Sequence, residues 1–349
     1  MKKKSSNFEV RLLQHHELDS WNRFAAKSPQ GGPYADSNYI STLLRETGGK
    51  LTILGVYDGA ELVAGCPVYS EQHRSGRIVM NRLLLYYNGL LLAPRNNVGP
   101  GLAASSGELA ALSSLKEALA KQQVDRLVLH CSPSLYDIRP FLDGSWQVSP
   151  TYTFVSDLSD SEKLFERIHK DQRRLIRRAE EAGVSFIQSN DPSALFELHQ
   201  LTSQKKSAPL YLPKVAFNRF FETLITLGLC KIFEARSSSG NLAASQAVIL
   251  STHSTTHTIC AATLEAYTGL GAAPFLRWSV NKALADFGYK ANDLTDAGLN
   301  SVSRFKAQLG SELQSSWILR RPDSLRMRVW SSSSQLARRA TKLLIKRNG

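Results

Sequence analysis

The stretch Ala266-Tyr267-Thr268-Gly269-Leu270-Gly271-Ala272-Ala273-Pro274-Phe275-Leu276-Arg277-Trp278 decides how the rest of the chain is read. It places Gly-x-Gly after a strand-like run and just before a helical pattern with proline near its first turn. The free backbone N–H groups of that turn and the positive end of the helix dipole would face whatever occupies the loop, which is the arrangement that holds phosphate. Glycines in that position also serve simply to turn the chain.

Working outward, the same order of elements occurs twice. Residues 51–69 read as two β-rich runs, LTILGVY and ELVAGCPVY, joined through Asp58-Gly59, a pair that tolerates the positive φ of a tight hairpin. Residues 229–250 repeat the plan with CKIFEAR and LAASQAVIL around a looser Ser-Ser-Ser-Gly-Asn turn. Each hairpin runs on into further strand-like sequence, at 83–92 and at 256–264. A helix and a strand then follow each time. In the first half these are 108–122, with Leu109, Leu112, Leu115 and Leu119 on one face, and the strand from Arg126. In the second half they are 274–287 and the strand from Asn292. The spacing predicts an α+β unit built twice, with a boundary near Pro150.

Helical sequence precedes the second unit. Residues 162–181 open on Ser159-x-x-Glu162 in capping-box spacing, carry Leu164, Phe165, Ile168, Leu175, Ile176 and Ala179 at helical intervals, and stop at Gly183. The polar face is basic: Arg173 with Arg177 and Arg174 with Arg178 form two i,i+4 pairs suited to a diphosphate or sugar-nucleotide acceptor. Two more helices are predicted at 191–204 and 215–227.

Composition narrows the classes. The 349 residues are 42% hydrophobic and 21% charged, enough for a sizeable core, which excludes a disordered or collagenous chain. The net charge of +13 favours anionic partners, yet nine basic residues and one acid lie within 320–349, so much of the excess belongs to the tail. There Leu336, Ala337, Ala340, Leu343 and Leu344 line up against Arg338, Arg339, Lys342, Lys346 and Arg347, a basic amphipathic pattern suited to an anionic membrane surface through 325–349. Cys66, Cys131, Cys230 and Cys260 are scattered without a metal or redox spacing, which fits a reducing cytoplasm. His253 and His257 lack a carboxylate at ligand spacing, and no metal is expected. Met1-Lys2-Lys3-Lys4 leads into no apolar run, so no secretory signal is read there. Gly-x-Ser-x-Gly, Walker and His-Glu-x-x-His motifs are missing.

The strand, Gly-x-Gly turn and helix resemble the acyl-CoA segment of GNAT N-acyltransferases, whose motif is Gln/Arg-x-x-Gly-x-Gly/Ala; Gly269 and Gly271 match, whereas Ala266 stands at the first motif position. The later run Asp293-Leu-Thr-Asp296-Ala-Gly298, followed by Arg304-Phe305-Lys306 and Gly310, resembles the Fem-like family of double-GNAT transferases. That family is related to enzymes that add bridging amino acids to peptidoglycan precursors, and this chain lacks the long helical arm of its best-known members. The resemblance implies an α+β fold of two tandem GNAT-like domains, each a mixed central sheet flanked by helices: 1–150, 151–322 with the transfer site, and a basic tail at 323–349. It further implies a cytoplasmic N-acyltransferase, peripheral at the inner membrane face, acting on an amine of a peptidoglycan or exopolysaccharide precursor.

Within that resemblance, Gly269, Leu270, Gly271 and Ala272 would hold the donor, an acyl-CoA or an aminoacyl-tRNA. Lys306 would stabilise the oxyanion, and Asp296 would orient the acceptor amine, although an aspartate at a strand end serves equally as a helix cap. Arg173, Arg174, Arg177, Arg304 and Phe305 would meet the anionic acceptor. The reading from a different class is a non-catalytic degenerate pair that binds RNA or membrane.

Overall fold

The computed structural model describes residues 8–94, 102–160 and 163–333. In chain order the elements are β1 (Glu9–Leu12), α1 (Leu18–Lys27), α2 (Ser37–Thr47), β2 (Lys50–Asp58), β3 (Glu61–His73), β4 (Gly76–Val79), β5 (Leu91–Leu92), α3 (Leu102–Ala120), β6 (Arg126–His130) and β7 (Gln147–Asp157). There follow α4 (Lys170–Glu181), β8 (Ser185–Ser189), α5 (Pro192–Lys206), α6 (Lys214–Thr226), β9 (Cys230–Arg236), β10 (Leu242–Ile249), β11 (Thr255–Thr263), α7 (Ala272–Asp286), β12 (Ala291–Asp293), α8 (Ser301–Gln308) and β13 (Glu312–Arg320). One mixed sheet runs β1-β2-β3-β4-β6-β13-β7-β12-β11-β10-β9-β8, with β5 pairing β3 to the side.

The repeat is visible in that order. Each half has antiparallel hairpins ending in one parallel pair, β4 with β6 and β11 with β12. A parallel pair needs a crossover, and the crossing helix is α3 in the first half and α7 in the second. Asp58-Gly59 makes the predicted turn, with Gly59 at φ +60°. Pro150 lies inside β7, which pairs with β12 on one side and β13 on the other; β13 in turn pairs with β6, so the sheet passes from one half to the other without a break.

Among the described residues, three of the four hydrophobic cores fix the layers. Leu112, Leu115 and Leu119 of α3, all fully buried, pack on β2, β3 and β6. Ile176 and Ala179 of α4 and Leu276, Val280 and Leu284 of α7 cover one face of the second half. A further core joins the halves: Tyr39 and Leu43 of α2 meet Phe217, Phe220 and Phe221 of α6, with Leu84 and Leu85 beside them. Burying side chains of this size removes each from water at roughly 1.5–3 kcal/mol apiece, so the halves are held by more than the shared strand.

Two sequence expectations fail locally. The run 83–92 is not a continuous strand: only Leu91–Leu92 pairs with β3, while Leu84 adopts φ +70° and Arg82 bridges Leu85. The turn sends Tyr86 and Tyr87 toward the second half, and hydrophobicity alone gave no sign of it. The helix expected over 162–181 begins only at Lys170, where the His169 side chain accepts from the Asp171 N–H. Residues 163–168 are turns that still bury Leu164 and Ile168, so the helical spacing was satisfied by a tighter path. Glu162 of the expected capping box lies outside the described residues. So do the tail positions from 334 onward, including Leu336 to Arg347; residues 325–333 are helical.

Candidate active site

The Gly-x-Gly turn sits where the sequence put it, between β11 and α7. Gly271 is the N-terminal cap of α7 at φ +90°, and a Cβ there would fall 2.2 Å from the Leu175 carbonyl oxygen of α4. Its smallness therefore serves the close approach of two helices. Gly269 differs, because open space surrounds the Cβ it lacks. Arg178 donates to the Gly269 carbonyl at 3.1 Å, tying the loop to the basic helix. Leu270 packs into the core between α4 and α7, and Ala272 is fully buried.

The α4 arginines adjoin this donor-type loop. Lys170, Arg173, Arg174, Arg177 and Arg178, with Leu175 and Glu181, line an open cleft of about 570 Å³. Arg177 stacks over Phe165 at 5.8 Å. At its other end α4 reaches α8: Gln172 donates to the Gln308 side chain at 2.8 Å, and the His169 N–H to the Gln308 carbonyl at 2.8 Å. The basic helix thus runs from the Gly-x-Gly loop to the element that carries Lys306. Gly310, at φ +78°, lets the chain after α8 press on Arg167, where a Cβ would sit 2.8 Å from the Arg167 backbone.

Lys306 is not a solvated helix lysine. Its Nζ donates to the carbonyl oxygens of Thr295 and Asp296, the latter at 2.6 Å. Both residues have positive φ, +53° and +47°, a costly conformation for two consecutive side-chain-bearing residues, and such strain concentrates at functional positions. Burial, reinforced by the charge of Arg277 and opposed by Asp296 and Asp293, lowers the Lys306 pKa to about 8. An ammonium has three donors and two are engaged, so the third is free for a substrate oxygen. Asp296 is exposed, and Asn300 caps α8 by accepting from the Ser303 N–H, so Asp296 is not the cap. Arg304 is exposed and Phe305 half-buried on the same helix.

Several residues at this end are given no site role in the sequence, although Asp293 stands in the quoted run and His257 is weighed there only as a metal ligand. Asp293, buried at the end of β12, accepts from Tyr87 Oη at 2.7 Å, Thr153 Oγ1 at 2.6 Å and the Thr295 N–H at 2.6 Å, which holds the strained turn. His257 lies 3.9 Å from Asp293, and burial lowers its pKa to about 4, so it is neutral. Tyr86 Oη lies 3.5 Å from Tyr211 Oη. Arg277 on α7 has an enclosed Nη1 with no hydrogen-bond partner. Tyr86 and Tyr87 come from the first half and the rest from the second, so no local spacing could have joined them. The detectable signal was Arg277 itself, a charge one residue past Leu276 and three before Val280 on a core-facing helix. Among the described residues no group of three or more metal-ligating side chains occurs.

The acetyltransferase (GNAT) domain family matches residues 166–306, the span from just before α4 to Lys306. Among solved structures, a crystal structure of FemX superimposes with a TM-score of 0.68 at 11% identity, covering 89% of this chain and 96% of that one. The chain therefore carries a GNAT domain over 166–306 and shares the fold of FemX. A tandem GNAT protein from the clavulanic acid biosynthesis pathway agrees, with TM-score 0.52, 15% identity and coverage of 91% and 98%. So does the C-terminal domain of a putative lysylphosphatidylglycerol synthetase from Agrobacterium fabrum, with TM-score 0.55, 12% identity and coverage of 92% and 96%. No curated protein matches the chain in sequence. The α+β reading, the tandem GNAT fold and the acyltransferase class all stand. No helix of this double-GNAT protein, among the described residues, is long and apolar enough to cross a membrane.

Proposed function

We propose that this double-GNAT acyltransferase moves an acyl or aminoacyl group from a phosphate-bearing donor onto an amine of an anionic cell-envelope precursor. The observation that carries this reading is the bonding of Lys306 to the Thr295–Asp296 turn, which leaves one ammonium N–H unengaged at the end of the basic helix that begins the transfer half. An oxyanion forms when an amine attacks the donor carbonyl, and a preplaced cation at that point lowers the barrier by several kcal/mol. The attack is direct, with no covalent enzyme intermediate. Asp296, exposed beside Lys306, would hold the acceptor ammonium until it gives up its proton.

Donor phosphates would lie against the Gly269–Ala272 turn, with Arg173 and Arg174 in the adjoining cleft; the spacing had suggested these arginines for the acceptor. Arg178, committed to the Gly269 carbonyl, would shape the loop. An acyl-CoA diphosphate fits this description. The second reading for the donor, an aminoacyl-tRNA, is favoured by the basic face of α4 continuing past the loop and by the likeness to FemX. The named neighbours, FemX and a putative lysylphosphatidylglycerol synthetase, support an acceptor of the cell envelope, where the tail at 325–349 would meet anionic lipid.

The test is binding of acetyl-CoA and of a charged tRNA pool at two salt concentrations, with Gly269→Trp as the blocked variant. Gly269 is the better choice because any side chain at Gly271 displaces α7 from α4. Saturable coenzyme A binding lost in Gly269→Trp supports the first donor. Binding of charged tRNA alone, weakening steeply with salt, assigns the second. Binding of neither removes the transferase reading in favour of a scaffold.

A further inference from the structure

Arg277 stands on the inner side of α7, six residues or about 9 Å of helix beyond Gly271. Its guanidinium is half-buried, and Nη1 is sealed from solvent without a hydrogen-bond partner. The groups near enough to act on its charge are Tyr211 and Cys260, and burial drives both of their pKa values upward, so neither is an anion at neutral pH. Burial likewise lowers Arg277 itself, to about 10. A second cation, Lys306, lies close enough that Arg277 disfavours its protonation. The nearby carboxylates are committed or turned outward: Asp293 is occupied by Tyr87, Thr153 and the Thr295 N–H, and Asp296 is exposed.

A half-buried guanidinium with an enclosed, unbonded nitrogen and no counter-anion is costly, and a chain that retains one gains nothing in stability from it. The missing charge has to come from a ligand. Around the cation the fold has gathered neutral donors. Tyr86 Oη and Tyr211 Oη are 3.5 Å apart, and Cys260 sits at a bulge of β11 with φ +43°. Phosphates have an open, arginine-lined cleft on α4, whereas this enclosed point suits a small planar monoanion that meets the guanidinium fork side-on.

We propose that Arg277, with Tyr86 and Tyr211 beside it and Lys306 next to it, forms a carboxylate-binding subsite, so that one of the two substrates carries a carboxylate near its reacting group. That group is either the acceptor, as an amino acid or peptide amine with a free carboxylate, or the transferred acyl chain, as a dicarboxylic half-amide or half-ester equivalent. The proposal rests on the reading that transfer takes place at Lys306.

The experiment follows thermal stability and Kd of the full chain with acetate and glutarate, against acetamide, glutaramide and inorganic phosphate, in wild type, Arg277→Met and Arg277→Lys. Wild type should be stabilised by the carboxylates and not by the amides. Arg277→Met should fold with an unchanged or higher Tm, because a hydrophobe replaces an uncompensated charge, while its carboxylate Kd rises about tenfold or more. Arg277→Lys, which keeps the charge and loses the fork, should fall between them. The subsite is overturned by equal response to amides, by response to phosphate alone, by no response to any carboxylate, or by carboxylate binding that survives in Arg277→Met. Should Arg277→Met lose stability sharply, the comparison of carboxylate with amide on wild type still decides. Competition of glutarate against an amine acceptor assigns the carboxylate to the acceptor, and competition against the donor assigns it to the acyl group. Carboxylate binding without any turnover would keep the subsite and remove the transfer reading; turnover indifferent to Arg277→Met would do the reverse.

Discussion

The two halves share one scaffold and differ in what fills it. In the first, the parallel pair β4–β6 is crossed by α3, whose inward face is Ala111, Leu112, Leu115 and Leu119. The space beside β6 is closed by the loop before β5. Asn88 donates to the Val128 carbonyl at 3.1 Å and accepts from the His130 N–H at 2.8 Å, and Gly89 lies so close that a Cβ would come within 2.7 Å of the Cys131 Cα. In the second half, α7 crosses β11–β12 with Arg277 beside its apolar face, the Gly269 turn opens to free space, and the turn after β12 is held by a lysine. The frame occurs twice, and the proposed chemistry lies in the half where a buried guanidinium nitrogen has no partner. The sealed half instead contributes Tyr86 and Tyr87 as part of the wall of the open one.

That contrast can be broken in graded steps. The largest effect is expected from Gly269→Trp, which should abolish donor binding, whereas Asp58→Ala at the tip of the first-half hairpin should leave it unchanged; equal effects in a titration would erase the asymmetry. Next, Gly271→Ala should cost at least about 1–2 kcal/mol of stability from its φ of +90° alone, with more from the collision with Leu175, while Gly269→Ala should be nearly neutral. Denaturant midpoints of the two variants measure the difference, and similar midpoints would remove the packing role given to Gly271.

A third prediction concerns pH. In the proposed role Lys306 is an ammonium, and its pKa is lowered to about 8 by burial and then by Arg277, with Asp296 and Asp293 opposing. The Lys306-dependent part of the rate should therefore fall as pH rises through about 8. Stability moves the other way. The unfolded lysine, near 10.5, holds a proton that the folded one has released, so stability rises between about 8 and 10.5. Lys306→Met should flatten that rise, and an unaltered pH dependence of unfolding would contradict the burial of this charge. The smallest effect belongs to Arg178→Gln, whose loss of one charged hydrogen bond to Gly269 should weaken donor binding about tenfold without changing the maximal rate.

What the sequence made legible was local. Asp58-Gly59 named its hairpin, Gly271 its helix start, and the leucines of α3 their core face, because each depends on neighbours within a few residues. Lys306 was picked out by resemblance, and its bonding to Thr295 and Asp296 became visible only once α8 folded back on the turn. Arg277, Tyr86 and Tyr211 are far apart along the chain, and apolar periodicity says nothing about a charge that faces inward. The run 83–92 misled for the same reason: Leu84 and Leu85 are buried by a core shared between halves rather than by pairing in a strand, and only Leu91 and Leu92 pair with β3.

The most direct test of the account is a single-turnover measurement of acyl transfer to an amine by wild type and by Lys306→Ala, with donor affinity measured on the same samples. The account predicts donor binding within a factor of about two and a transfer rate lower by roughly 10²–10³-fold, the loss expected when one oxyanion donor is removed. A transfer rate unchanged in Lys306→Ala, with the fold intact, would contradict it.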